Sequence, residues 1–193
     1  MNSSDRPTPG QLEQERIRLI LKRSRARSIR RAANLTLVLL VLAAVVMVLL
    51  CPPLLVQGAS MEPTLQDGQA VVCVRGRSFQ PGDLVAFSYG NKALIKRVIA
   101  GEGDTVDIDE HGIVSVNGEP LREDYLKEKT AGEVSMELPC VVPMDCWFLM
   151  GDNRSVSLDS RSSLVGFVHR EQIIGRVRLR VWPLRYFEVF DQP

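Results

Sequence analysis

The sequence predicts a mainly β protein, an antiparallel β barrel or coiled-sheet domain attached to a single amino-terminal transmembrane helix. Three observations predict it. Ala32 to Cys51 is an apolar run of about twenty residues with no charge, polar only at Asn34 and Thr36. After Leu54 the chain breaks into short β-rich runs separated by Gly, Asn and Pro turn signals. Ile173 to Val181 alternates, with Val177, Leu179 and Val181 opposite Arg176, Arg178 and Arg180.

The elements follow in order. Residues 1–10 contain Ser, Asp, Pro and Gly and read as a disordered start. Gln11 to Arg31 is rich in helix formers and basic. It reads as a short helix on the cytoplasmic side, either solvated or touching anionic lipid. Ala32 to Cys51 is long enough to cross a hydrocarbon core of ~30 Å as a helix, and Pro52-Pro53 ends it. Six Lys/Arg lie between Lys22 and Arg31. By the positive-inside tendency they keep the amino terminus in the cytoplasm and put residues 54–193 outside. The length of the apolar run and of the basic region before it favour an uncleaved anchor over a removable leader.

Gln69–Val74 is β-rich. Leu84–Phe87 and Ala93–Ala100 flank Tyr89-Gly90-Asn91-Lys92, a hairpin-like turn. Thr105–Asp109 alternates, Glu110-His111-Gly112 turns, Ile113–Val116 follows and Asn117-Gly118 turns again. Leu121–Glu137 is polar and charged and reads as an inserted surface segment. Trp147–Met150 leads into Gly151.

Charge is uneven: +6 over residues 1–31, none over 32–51 and −5 over 52–193, for a total of +1. A basic arm on an acidic body does not suit nucleic-acid binding, which calls for a basic folded domain. With no Cys-x-x-Cys and no His cluster, neither a metal nor another cofactor is expected. Cys51 and Cys73 read as small apolar residues. Cys140 and Cys146 either bond in an oxidising compartment or stay free near a hairpin.

Chemistry concentrates at Ser60-Met61-Glu62-Pro63-Thr64-Leu65. Ser60 lies just past Gly58, which permits a sharp backbone, and before the stiffening Pro63. A serine hydroxyl needs a base. The two histidines, His111 and His169, read as turn and surface residues. Lys96 is the other candidate. On a strand it shares a face with Leu94 and Val98, and Arg97 takes the opposite face. Burial would favour the neutral amine, which is a base; alternatively the amine snorkels to water.

Ser60–Leu65, Gly82-Asp83-Leu84-Val85-Ala86-Phe87, Lys96-Arg97-Val98-Ile99-Ala100-Gly101 and Gly151-Asp152-Asn153-Arg154-Ser155-Val156-Ser157-Leu158-Asp159-Ser160-Arg161 occur in that order. Together, from about Val56 to the chain end, they resemble the motif set of the type I signal peptidases, membrane-bound Ser/Lys proteases. The resemblance implies that Ser60 is the nucleophile and Lys96 the general base. It implies that Ser157 hydrogen-bonds the lysine, that Asp152 pairs with Arg97, and that Asp159 pairs with Arg161. Gly58 stands where some members carry a hydroxyl that assists the oxyanion; the resemblance implies that this side-chain donor is absent here, as it is in the Gram-positive-like branch. That leaves the Ser60 N–H with a backbone amide or water as its companion donor.

The resemblance and the topology together give the expected organisation. Residues 1–31 form a cytoplasmic basic segment and 32–51 a signal anchor. Residues 52–193 form an extracytoplasmic catalytic β domain, with a small insertion at about 105–140. The expected function is removal of signal peptides from exported preproteins at the outer face of the cytoplasmic membrane. Partners are preproteins with Ala-x-Ala-like sites, membrane lipid and, by proximity, the translocon. The substrate would add as a strand beside the segment before Ser60 and beside Leu94–Lys96. Met61, Trp182, Tyr186 and Phe187 are candidates for lipid contact, with core packing the competing reading for at least one of them.

Overall fold

The computed structural model describes residues 9–190. Two compact units result, one ending at Met47 and the other starting at Val48. The first is built on helix α1, Pro9–Leu50, of 42 residues, whose last turn falls past the Met47 boundary. The basic and apolar stretches expected as separate segments are therefore one continuous helix. It includes Pro9 and Gly10, which the sequence assigns to a disordered start; residues 1–8 lie outside the described residues. Proline suits the first helical position, where its missing N–H has no partner to lose. No proline follows until Pro52, so nothing breaks the backbone ladder before then. Ile29–Val48, with mean hydropathy 2.2, is long and apolar enough to cross a membrane. The helix stops at Leu50, so Cys51, expected inside the span, lies beyond it.

The second unit is mostly antiparallel sheet. Its strands are β1 (Pro53–Leu55), β2 (Ala70–Val74), β3 (Leu84–Tyr89), β4 (Lys92–Ala100), β5 (Thr105–Ile108), β6 (Val114–Val116), β7 (Glu119–Pro120), β8 (Cys140–Val141), β9 (Cys146–Met150), β10 (Val168–His169), β11 (Ile173–Trp182) and β12 (Glu188–Val189). An eight-stranded sheet runs β1-β2-β11-β3-β4-β9-β10, with β12 also on β11. It is coiled by bulges, and among the described residues no pairing closes it into a barrel. The bulges have a visible effect on β11. Register shifts at Val177/Leu179 and Arg180/Trp182 break strict alternation, so Val177 is buried while Leu179 and Val181 are only half-buried.

The stretch expected as a small insertion is a second sheet, β7-β6-β5-β8. Its hairpin turns at Asn117-Gly118, both at positive φ (54° and 83°), the geometry that Asn-Gly favours. Val106, Val114, Val142, Phe148 and Met150 join this sheet to the larger one in a shared apolar cluster. A second cluster gathers Val56, Met61, Leu65, Val71, Leu84 and Val177 beneath the Ser60 turn. Met61 is therefore core, 1% exposed, and is no lipid contact; Trp182, Tyr186 and Phe187 are exposed. Cys140 and Cys146 are free thiols, which settles the alternative left open by the sequence.

Candidate active site

Ser60 sits in the turn between β1 and β2, and four hydrogen bonds fix the backbone around it. Gly58 adopts φ +80°, and its N–H donates to Asp67 Oδ1 at 2.7 Å. Glu62 N–H donates to the Ala59 carbonyl at 3.1 Å, and Leu65 N–H to the Met61 carbonyl at 2.8 Å. Met61 and Leu65 anchor the turn in the core. Asn153 N–H donates to the Ser60 carbonyl at 3.1 Å. Among the described residues no acceptor takes the Ser60 N–H, which is free for an incoming oxygen. A Cβ on Gly58 would meet nothing within 4 Å, so its positive φ, rather than space, favours glycine there.

Lys96 comes from the centre of β4, opposite Val85 of β3. Its Nζ donates to Ser60 Oγ at 2.7 Å across 36 residues of sequence. The side chain is 2% exposed. Desolvation is the main cause that lowers its pKa from 10.5 to about 8. Asp159 and Asp152 push the other way, and Arg161 reinforces the lowering. Each carboxylate is neutralised by its own guanidinium. Arg97 Nε donates to Asp152 Oδ1 at 2.8 Å and Nη2 to Oδ2 at 2.6 Å. Arg161 Nε donates to Asp159 Oδ1 and Nη2 to Oδ2, both at 2.8 Å. Two-point pairs of this kind fix both partners and spend the carboxylate charge locally, so burial outweighs the acidic neighbours at the amine.

The loop after β9 carries the remaining groups. Gly151 N–H donates to Asp159 Oδ2 at 2.9 Å, and Thr64 Oγ1 donates to Asp152 Oδ2 at 2.5 Å. A Cβ on Gly151 would come within 2.2 Å of Ser157 Oγ and 2.5 Å of the Ser60 carbonyl, so the loop needs glycine for close approach. Ser157 differs from expectation. Its Oγ is buried but has no hydrogen-bond partner, so the contact expected with Lys96 is not made. It is turned toward Gly151 and the Ser60 backbone instead.

Three residues packed around the site carry no clear signal in the sequence. Glu123 and Arg154 form an ion pair with both side chains buried. Tyr125 lies under Arg97, with the guanidinium carbon 3.9 Å from the ring centroid, and its hydroxyl donates to Glu123 Oε1 at 2.8 Å. Burial and Glu123 raise the Tyr125 pKa. Arg161 Nη1 donates to the Ala131 carbonyl at 2.6 Å. The segment expected to lie on the surface thus sends Glu123 into the interior and braces the loop after β9. Its only sequence signal is Arg154, an extra cation in the Gly151–Arg161 motif. Neither histidine is near Ser60 Oγ in the hydrogen-bond network. His111 N–H caps onto Asp109 Oδ1, and His169 Nδ1 lies 3.3 Å from Cys146 Sγ.

A depression of about 30 Å³ adjoins Ser60, lined by Leu55, Val56, Met61, Leu94 and Ile95 among others. Two backbone edges border it. β1 ends the sheet, and β4 pairs with β9 only from Arg97 onward, among the described residues.

The family model for signal peptidase, peptidase S26, matches residues 29–182. The chain belongs to this family. Signal peptidase I P of Bacillus subtilis subsp. natto is 35% identical over 161 residues, covering 77% of this chain and 86% of its own. Signal peptidase IB of Staphylococcus aureus (strain COL) is 33% identical over 156 residues, covering 70% and 80%. A solved signal peptidase I from Enterococcus faecalis V583 overlaps 51% of this chain and 96% of its own, at 29% identity and TM-score 0.45. Membership of the signal peptidase family makes the chain a serine endopeptidase.

Proposed function

We propose that this chain removes amino-terminal signal peptides from exported preproteins at the outer face of the cytoplasmic membrane. α1 is its anchor, its amino terminus is cytoplasmic, and residues 52–193 form the extracytoplasmic catalytic domain. The observation that carries the proposal is a lysine amine, 2% exposed, lying 2.7 Å from the hydroxyl of Ser60.

Ser60 is the nucleophile and Lys96 the general base. The neutral amine takes the hydroxyl proton as Oγ attacks the scissile carbonyl. The Ser60 N–H faces the developing oxyanion. The ammonium so formed protonates the leaving amine and returns to the neutral form. A water, deprotonated by the same amine, then attacks the ester carbonyl and frees Ser60. Arg97, Asp152, Asp159 and Arg161 hold the site without moving protons. Ser157 supports Lys96 only after a side-chain rotation brings its unpaired hydroxyl to the amine.

Substrate enters as an extended strand between β1 and the Lys92–Lys96 half of β4, where open backbone edges supply pairing partners. The depression of about 30 Å³ has room for small side chains, in keeping with an Ala-x-Ala-like pattern. The natural substrates are chains emerging from the translocon beside the lipid surface.

The test uses the full chain in detergent micelles with a model preprotein, the new amino terminus being read directly. Wild type cuts after the small-residue motif, and Ser60→Ala and Lys96→Ala do not. Retained cleavage in either variant would sink the dyad.

A further inference from the structure

Two depressions flank the Ser60 turn and share no lining residue. The small apolar one lies against β1 and β4. The other is larger, about 240 Å³, and polar. It begins at Glu62, two residues past Ser60. Asn153 and Ser155 wall it on one side, and Lys127, Glu128 and Thr130 on the other.

Both walls are tied to the reacting groups. Asn153 N–H holds the Ser60 carbonyl, which fixes the first wall to the nucleophile's own backbone. The second wall belongs to the strap that follows Glu123. That strap is pinned by the buried Glu123–Arg154 pair, by Tyr125 under Arg97 and by the Ala131 carbonyl on Arg161. A chain lying along β1 and β4 up to the bond that Ser60 attacks must leave past the Ser60 turn, where this cleft opens.

The charges in the cleft divide into two kinds. Asp152 and Arg154 line it but are spent on Arg97 and Glu123. Glu62, Lys127 and Glu128 have no ion-pair partner among the described residues. They are left to act on whatever enters. The occupant they suit is a hydrophilic extended peptide, and their sum of one negative charge favours a basic one.

We propose that this cleft binds the residues following the scissile bond, the first residues of the mature protein, and that Lys127 and Glu128 read their charge. This rests on the peptidase reading of the Ser60–Lys96 site.

The experiment uses the full chain in detergent with two preproteins. They are identical up to the cleavage site and carry Lys-Lys or Glu-Glu at the second and third positions after it. Lys127 and Glu128 are exposed, so their variants keep the fold. The readout is the ratio of kcat/KM for the two substrates. Glu128→Lys moves the ratio toward the acidic substrate by about fivefold, the scale of an exposed charge pair summed over the reversal. Lys127→Glu moves it about as far toward the basic one. Shifts of opposite sign distinguish charge reading from a structural role. Wild-type cleavage of both substrates with a ratio that neither variant moves overturns the cleft assignment alone. Failure of wild type to cut either substrate overturns the peptidase reading beneath it.

Discussion

Acidification should silence the enzyme by charging one amine. Lys96 has a pKa of about 8 because burial penalises its ammonium form. In the proposed dyad only the neutral amine can accept the Ser60 proton. At two pH units below that pKa about one molecule in a hundred retains it, so kcat/KM at pH 6 should be about a hundredfold below its plateau above pH 9. The same displacement has a stability consequence of defined sign. The folded pKa lies below the unfolded one, so between about pH 8 and pH 10.5 the unfolded chain binds the extra proton. Stability therefore rises with pH through that window. Below it the buried ammonium costs about 3 kcal/mol, because each tenfold loss of proton affinity is worth about 1.4 kcal/mol. Lys96→Met should abolish cleavage yet raise the melting temperature at pH 6, and the gain should vanish above about pH 10.5. The assays are preprotein cleavage by the full chain in detergent from pH 5.5 to 10 and thermal unfolding of both proteins from about pH 6 to 11. A flat rate between pH 6 and 9, or a Lys96→Met variant less stable than wild type at pH 6, would rule out a buried neutral Lys96 as the base.

Asp152→Asn leaves Arg97 without its carboxylate and should cost about 3 kcal/mol in denaturant unfolding. Because Asp152 raises the Lys96 pKa, the acid limb of the rate profile should also move to lower pH. Glu123→Gln strands the buried Arg154 and should destabilise by a similar amount, about 3 kcal/mol, in the same measurement. Gly151→Ala drives a methyl into Ser157 Oγ and the Ser60 carbonyl; at least about a tenfold loss of kcat is expected, with KM less affected. A reducing agent should change neither rate nor melting temperature, since Cys140 and Cys146 are free.

The parts of this architecture that sequence reveals are those written in local pattern. The uncharged run, the Asn117-Gly118 turn and the apolar-Arg alternation of β11 each follow from a few adjacent residues. Lys96 stands out for the same reason, as a cation between Leu94 and Val98 on a strand face. What escapes depends on distant partners. Glu123 looks solvated in a polar stretch, and it is Arg154, 31 residues on, that pairs with its charge in the interior. Met61 looks available beside a presented serine, yet the cluster under the turn claims it. The join of the basic and apolar helices is hidden because composition changes at Ala32 while backbone conformation does not. The bulges in β11 leave no mark on its residue pattern of apolar side chains and arginines, because they answer to β2 and β3 rather than to β11 itself.

The two open edges beside Ser60 offer only amide and carbonyl groups, and every extended polypeptide carries those. In the proposed binding mode that strip is indifferent to side-chain identity, so choice among the residues before the scissile bond falls to the small hollow beside it. A hollow that size discriminates by refusing bulk rather than by rewarding fit. Each methylene too many costs on the order of 1–3 kcal/mol. In that binding mode fidelity before the scissile bond is enforced by steric veto, and a mutation that deepens the hollow should broaden the range of accepted chains before it weakens catalysis on the original ones.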